Sequence, residues 1–498
     1  MQQTTAIIGS GIGGIASAIR LAAKGYKVTV FEQAGAPGGK ISQLRKDGFR
    51  FDTGPSLFTL PELVDELFRL CGEDPRNHFH YHPTKTSCKY FWEDGTRIHA
   101  WQNPDDFARE VESVTGVPAD RTLGFLERSR KLYELTSDVF IFNSYHKLRN
   151  FLTPAFRRPL FRIHQLDALT SMHERNRKWF GHQKVVQLFD RYATYNGSNP
   201  YQTPATMNVI AHLEHNTGAW FPDKGMYAIV ESLVDLARRK GVDFHFNTPV
   251  SEVVMEGRRV VGLRIGGEFR PFDVVVSDID IVNLYRRLLP GIPLPRRQVS
   301  GERSTSALIF YWGVNREFPG LELHNILFSD DYKEEFRHLF RTRTIYEDPT
   351  VYLFISSKHV KGDAPEGSEN WYVMINVPEN AGQDWDELLA GARRNIVKKI
   401  NRILETDIER HIVTEAFADP RSIERDTGSY RGSLYGLSSN GRFSAFSRHP
   451  NFRRRLKNLY FAGGSVHPGG GIPLCLASAR IIGKEVPAAK DFPLPEKT

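Results

Sequence analysis

The sequence predicts an α/β fold in which one domain is assembled from separated stretches of chain and a second, partly helical domain fills the intervals. Three observations lead there. A strand, a glycine-rich turn, a helix and a second strand open the chain. The same order of strand, glycine turn and helix returns near residue 460. The long interval between them is helical, aromatic and basic in one part and strand-like in another.

The opening unit is justified residue by residue. Thr4-Thr5-Ala6-Ile7-Ile8 reads as a buried strand and runs into Gly9-Ser10-Gly11-Ile12-Gly13-Gly14. Residues 15–24 then show helical periodicity and stop at Gly25, and Lys27-Val28-Thr29-Val30-Phe31 is a second strand ended by Glu32. Gly9 permits the tight turn, Gly11 lets backbone approach a pyrophosphate, and Gly14 lets the helix pack against the sheet. The helix start, with Gly13, offers free N–H groups and a positive dipole end to phosphates. Glu32 is placed to accept from ribose hydroxyls and to repel a 2′-phosphate. This is a Rossmann-like dinucleotide site, and by itself it does not separate FAD from NAD. The next segments favour FAD: Gly38-Gly39-Lys40, then Phe51-Asp52-Thr53-Gly54-Pro55-Ser56, bring backbone and a cation to a second part of a long cofactor.

Near the C-terminus, Tyr460-Phe461-Ala462-Gly463-Gly464 ends a strand, and Gly469-Gly470-Gly471-Ile472-Pro473 leads into a helix of small residues. Gly463, Gly464, Gly471, Ile472 and Pro473 are expected to face the flavin ring and ribityl chain. Cys475, early in that helix, is expected to be a buried thiol, and His467 either a polar group beside the ring or a turn histidine capping its own loop. Between the two units, residues 228–240 read as a helix ending in cations and glycine. Residues 241–254 read as two short strands and 258–277 as a meander, with Val250 near the adenine. The expected division is a cofactor domain of 1–78, 223–289 and 426–498, and a substrate-binding, membrane-associating domain of 79–222 and 290–425.

Composition bounds the partners. The 498 residues carry a net charge of +8, with 25% charged and 40% hydrophobic residues, which fits a folded protein of two or three domains. Cys71, Cys88 and Cys475 lack disulfide or zinc spacing, so no metal is expected. No apolar run is long enough to span a bilayer, and no signal-peptide pattern opens the chain. Residues 139–162 mix aromatic, leucine and basic side chains, including Arg157 and Arg158, as an interfacial membrane segment does; a buried helix with a solvated basic end is the competing reading. The expectation is a cytoplasmic protein attached peripherally to a membrane. Nucleic acid is not an expected partner, because it would explain the positive charge and nothing else.

Taken together these residues resemble the bacterial-type carotenoid (phytoene) desaturases, FAD-dependent oxidoreductases with a fold of the glutathione-reductase/amine-oxidase type. The markers are Gly9 to Gly14 with Glu32, Gly38-Gly39-Lys40, Phe51-Asp52-Thr53-Gly54-Pro55, Trp220-Phe221-Pro222-Asp223-Lys224-Gly225-Met226 and His467-Pro468-Gly469-Gly470-Gly471-Ile472-Pro473. Arg191-Tyr192-Ala193-Thr194-Tyr195-Asn196-Gly197 is similar to the subgroup acting on hydroxylated or partly desaturated carotenoids, the hydroxyneurosporene and 1-hydroxycarotenoid 3,4-desaturase type. The resemblance implies hydride transfer from an allylic carbon of a carotenoid to flavin N5, with oxygen or a quinone as final electron acceptor. Arg191, Tyr192 and Tyr195 would contact a polar end group and His467 would sit near the reaction. Asp223-Lys224-Gly225 departs from a paired glycine, Ser277-Asp278-Ile279-Asp280 varies a common Ser-Asn-Ala-Asp, and Gly464 stands where many flavoproteins carry an acid. Phytoene desaturase, carotenoid isomerase or saturase, flavin amine oxidase and, outside enzymes, an isoprenoid-binding chaperone resembling Rab GDP-dissociation inhibitor stay open as alternatives.

Overall fold

A computed structural model describes residues 2–492, except 148–149, 151–152, 154–155, 157–161, 163–165 and 442–443. Two large sheets organise these residues. The first has a parallel core in the order Leu456–Phe461, Val274–Ser277, Thr4–Ile8, Lys27–Phe31, Asp243–His245. Its middle strands are apolar without alternation and buried on both faces, as a helix-covered parallel sheet requires. The helices Ile12–Ala22 and Ile472–Glu485 pack against each other in the same apolar core.

The helix expected near 228–240 spans Ala228–Arg239 and ends in cations and Gly241. Residues 258–277 divide differently from a single meander. Arg259–Ile265 and Glu268–Pro271 pair antiparallel, but Val274–Ser277 joins the parallel sheet between Thr4–Ile8 and Leu456–Phe461. Its four residues are all buried, so it belongs where both faces are covered.

The second sheet runs Ile412–Ala418, Ser306–Val314, Glu369–Val377, Val351–Phe354, His324–Leu327, Thr86–Phe91, Arg97–Trp101. Strand side chains alternate between faces. Leu308, Phe310, Trp312, Trp371, Val373 and Ile375 pack in one core with helix Trp385–Leu404. The alternate residues Ala307, Ile309, Tyr311, Tyr372 and Met374 turn the other face toward the interior cavity. Among the described residues no helix is long and apolar enough to cross a membrane.

Candidate cofactor and substrate site

The two glycine turns, more than 440 residues apart, are in contact. A Cβ built on Gly13 would stand 2.9 Å from the Gly463 nitrogen and 2.6 Å from Asp278 Oδ1, so only glycine fits where the turns meet. The third glycine segment joins them: the Gly38 N–H donates to Ser10 O at 2.8 Å, and Gly38 bridges to Gly11. Helices Ile12–Ala22 and Ile472–Glu485 both begin at a glycine with no side-chain cap and have no acid in their first turn. Neither helix's own first turn competes for those N–H groups and positive dipole ends, although at Ile12–Ala22 one of them, the Gly14 N–H, is taken by Asp278.

Both turns line one cavity of about 1830 Å³. Gly9, Gly11, Gly13, Glu32, Gly38, Gly39, Lys40, Gly54, Pro55, Ser56 and Val250 line it, as do Gly463, Gly464, Gly471, Ile472 and Pro473. Gly14 lies behind the wall. A Cβ there would meet Gly9 O at 2.3 Å, so its part is to seat the helix on the sheet. The volume exceeds the roughly 300–1,000 Å³ of an ordinary small-molecule pocket, which leaves room for a dinucleotide and a second long molecule.

The charged groups are held in place before any ligand arrives. Glu32 accepts from the Ser10 N–H at 2.7 Å, the Ser10 hydroxyl at 2.8 Å and the Ala34 N–H at 2.8 Å. Two carboxylate oxygens offer about four acceptor positions, so one remains for a ribose hydroxyl. Lys40 donates to Leu434 O at 2.6 Å, and burial lowers its pKa against the pull of Asp280 and Asp278. Asp52 fixes the hairpin Ser42–Lys46/Phe49–Thr53 by pairing with Arg50 at 2.7 Å and accepting from the Met226 and Tyr227 N–H groups. That anchor ties the 51–55 motif to the 220–226 motif and sets Gly54, Pro55 and Ser56 on the cavity wall.

Sequence reasoning missed Asp278, Arg448, Glu214 and His324 here. Asp278 follows strand Val274–Ser277, and its carboxylate stands between the two glycine turns, accepting from the Gly14 N–H. Burial, with Glu32 adding to it, pushes its pKa up to about 7. Its signal was position: strand Val274–Ser277 pairs with the strand that leads into Gly9, so its end must abut the turn. Arg448 is enclosed at the cavity and donates to Tyr435 O at 2.9 Å; no carboxylate pairs with it among the described residues, and burial pulls its pKa down to about 10. His324 is on the cavity wall, and its Nε2 lacks a hydrogen-bond partner among the described residues.

The departures from the family pattern have local explanations. Asp223 is exposed and pairs with His82 at 2.8 Å, away from the cavity lining. A Cβ on Gly464 would approach Gly470 Cα to 3.2 Å, so a longer side chain has little room there. Cys475 lines the cavity as a thiol, its pKa pushed up to about 12 by burial.

Of the residues expected near a substrate, Arg191, Tyr195 and His467 line the cavity, while Tyr192 is fully buried outside its lining. Arg191 pairs with Glu214 at 2.7 Å and donates to the hydroxyls of Tyr90 at 2.8 Å and Tyr195 at 2.9 Å. Tyr192 and Tyr195 both donate to Glu214. His467 Nε2 bonds Asn143 O at 2.8 Å, and burial pulls its pKa down to about 3, so the imidazole is neutral at physiological pH. Phe140, Ile141, Leu169 and Phe446 line the cavity as well, and Leu169 and Phe446 are exposed. Arg157 and Arg158 lie outside the described residues.

Comparison with known proteins agrees with this geometry. Residues 12–485 match the family model described as flavin containing amine oxidoreductase. A 1-hydroxycarotenoid 3,4-desaturase of Flavobacterium sp. (strain P99-3) is 45% identical over 97% of this chain and 98% of its own length. A zeta-carotene-forming phytoene desaturase of Myxococcus xanthus is 32% identical over 96% and 92%. A putrescine oxidase redesigned at its cofactor site shares the fold at 16% identity and a TM-score of 0.63, covering 97% of this chain and 98% of that one. The chain therefore belongs to the flavin-containing amine oxidoreductases and, within them, to the bacterial-type carotenoid desaturase family. It is an FAD-dependent oxidoreductase.

Proposed function

We propose that this enzyme desaturates an acyclic carotenoid that is already hydroxylated at C1 or partly desaturated, introducing a carbon–carbon double bond next to a conjugated polyene. The carrying observation is that the glycine turns and the apolar, aromatic face of the second sheet wall a single cavity. FAD, when bound, supplies the acceptor for a hydride leaving an allylic carbon.

The chain's own residues hold, orient and keep dry. The glycine turns, Glu32 and Lys40 grip the cofactor through backbone N–H groups, a ribose-facing acceptor and a cation. Tyr311, Tyr372, Ile309 and Met374 hold the polyene against it. Spreading the positive charge left by hydride loss over that polyene lowers the barrier, and the adjacent carbon's proton then leaves to water or a weak base. Arg191 and Tyr195 form a polar part of the wall, and neutral His467, bonded to Asn143 O, is a positioning residue for the 467–473 turn. We assign 1–78, 223–289 and 426–498 to the cofactor domain and 79–222 and 290–425 to the substrate domain. Exposed Leu169 and Phe446 beside the cavity support docking on a membrane surface, from which an apolar substrate can enter. Oxygen or a quinone would be the final acceptor of the two electrons removed from the substrate.

Expression in cells supplied separately with phytoene, lycopene and a 1-hydroxylated carotenoid tests this. The expected outcome is a yellow purified protein and a red-shifted pigment spectrum with the hydroxylated substrate. Isomerised product with an unchanged number of double bonds would overturn it.

A further inference from the structure

His324 opens the strand His324–Leu327 and is 2% exposed, yet it is one of the residues that line the cavity. Its Nδ1 is 2.8 Å from the Tyr352 hydroxyl, which is in turn 2.7 Å from Ser56 Oγ. The ring stacks on Phe354 at 5.4 Å and 17°. Nε2 has no hydrogen-bond partner among the described residues. A buried ring nitrogen without a partner, on a residue of the cavity wall, is a polar group that calls for one. Its surroundings contrast with Arg191, whose guanidinium is already engaged by Glu214, Tyr90 and Tyr195.

The chemistry of Nε2 limits what that atom can be. Burial pulls the ring's pKa down to about 3, so it is neutral and gives no charge to attract a carboxylate or phosphate. Either tautomer is open to it, because the Tyr352 hydroxyl can donate to Nδ1 or accept from it. A ligand that suits a donor and an acceptor alike is a hydroxyl. Ile326 and Tyr352 line the cavity beside it, so the hydroxyl belongs to a molecule that is otherwise apolar. Ser56 follows Gly54 and Pro55 on the wall proposed for the cofactor, so the Ser56–Tyr352–His324 chain reaches from that wall to the sheet.

We infer that His324 Nε2, held by Tyr352, hydrogen-bonds the terminal hydroxyl of the carotenoid and makes this enzyme prefer hydroxylated over hydrocarbon ends. The inference rests on the desaturase reading and names its specificity residue. The geometry also accounts for how preference arises: a hydrocarbon end leaves Nε2 unpaired, whereas a hydroxyl satisfies it.

The test uses the holoenzyme with a matched pair, an acyclic 1-hydroxycarotenoid and the hydrocarbon lacking only that hydroxyl, in liposomes. The ratio of their kcat/KM values is compared in wild type, His324→Phe and Tyr352→Phe, with flavin content and absorption recorded without substrate. Wild type is expected to favour the hydroxylated member at least about tenfold, the ratio falling toward one in His324→Phe and part of the way in Tyr352→Phe. His324→Gln, which keeps a donor and an acceptor, is expected to restore part of the preference. Should His324→Phe not fold, Tyr352→Phe and His324→Gln carry the comparison. An unchanged ratio in a flavin-loaded variant would overturn the inference and leave the desaturase reading standing. A shifted flavin absorption band in substrate-free His324→Phe would overturn it by assigning Nε2 to the cofactor. Conversion of neither substrate by wild type would overturn the desaturase reading itself, and this inference with it.

Discussion

Two buried carboxylates face the same cavity system and are driven in opposite directions. Asp278 stands between the glycine turns, where burial dominates, the Glu32 charge adds to it, and Lys40 only partly offsets them; its pKa rises to about 7. Glu214 is buried as deeply, and burial alone would push it up. Arg191 at 2.7 Å, His215 and the hydroxyls of Tyr195 and Tyr192 outweigh that and hold it below the usual carboxylate range. The difference shows that burial does not decide a carboxylate's charge; a guanidinium in contact does. It also separates two jobs. The Glu214 cluster is closed on itself and braces the wall. Asp278 lacks a salt-bridge partner among the described residues and sits where the cofactor's phosphates are proposed to come.

The largest expected effect comes from breaking the closed cluster. Arg191→Met leaves Glu214 buried without its cation, which costs about 3–5 kcal/mol by the usual behaviour of half-removed buried pairs. Urea unfolding checks the loss. The double variant Arg191→Met, Glu214→Leu is expected to recover most of it, because no charge is then stranded. If the single variant is as stable as wild type, Arg191 is not a brace, and its part is confined to the substrate.

The open carboxylate predicts a pH signature of the other sign. Because the folded pKa of Asp278 is raised, the native state keeps a proton that the unfolded chain has lost between its ordinary value and about 7. Stability from this group is therefore full at low pH and is lost as pH rises through that window, by up to about 4 kcal/mol. Asp278→Asn keeps an oxygen for the Gly14 N–H and cannot ionise. Unfolding free energies at about pH 5 and pH 8, at one FAD concentration, are expected to fall further in wild type than in Asp278→Asn. Glu214 contributes the opposite slope, lost as pH falls below its unfolded value, and gives Arg191→Met a distinct profile.

How much of this was legible in the sequence follows from the range of the interactions. The glycine turns, Glu32 and the helix of 228–240 are local: each is fixed by a few neighbouring residues and reads directly from the chain. Val274–Ser277 was visible as a strand, but its parallel place in the sheet came from pairing with a strand 270 residues earlier. Asp278 inherits that difficulty, since its role exists only because the end of its strand meets the Gly9 turn. His324 and Tyr352 are brought together across an antiparallel pair in which His324 stands opposite Phe354 and Ile326 opposite Tyr352, a diagonal contact that no spacing announces. Glu214 was invisible for a further reason. A lone acid on a short helix reads as a surface residue until its partners Arg191, Tyr192 and Tyr195 fold over it.

A third carboxylate supplies the baseline for the other two. Asp223 belongs to the stretch where this chain departs from a paired glycine. The structure puts its side chain at 53% exposure, 2.8 Å from a partly exposed His82 ring. Water screens that pair, so Asp223→Ala is expected to change stability by no more than about 0.5 kcal/mol. Flavin content is expected to stay at the wild-type level, because Gly225 rather than Asp223 abuts the Arg50–Asp52 anchor. Thermal melts and flavin absorption of the purified variant check both points. A loss of flavin would mean that the 222–225 turn is coupled to the cofactor through Asp52, and the contrast between contact and burial would then have to include this exposed pair.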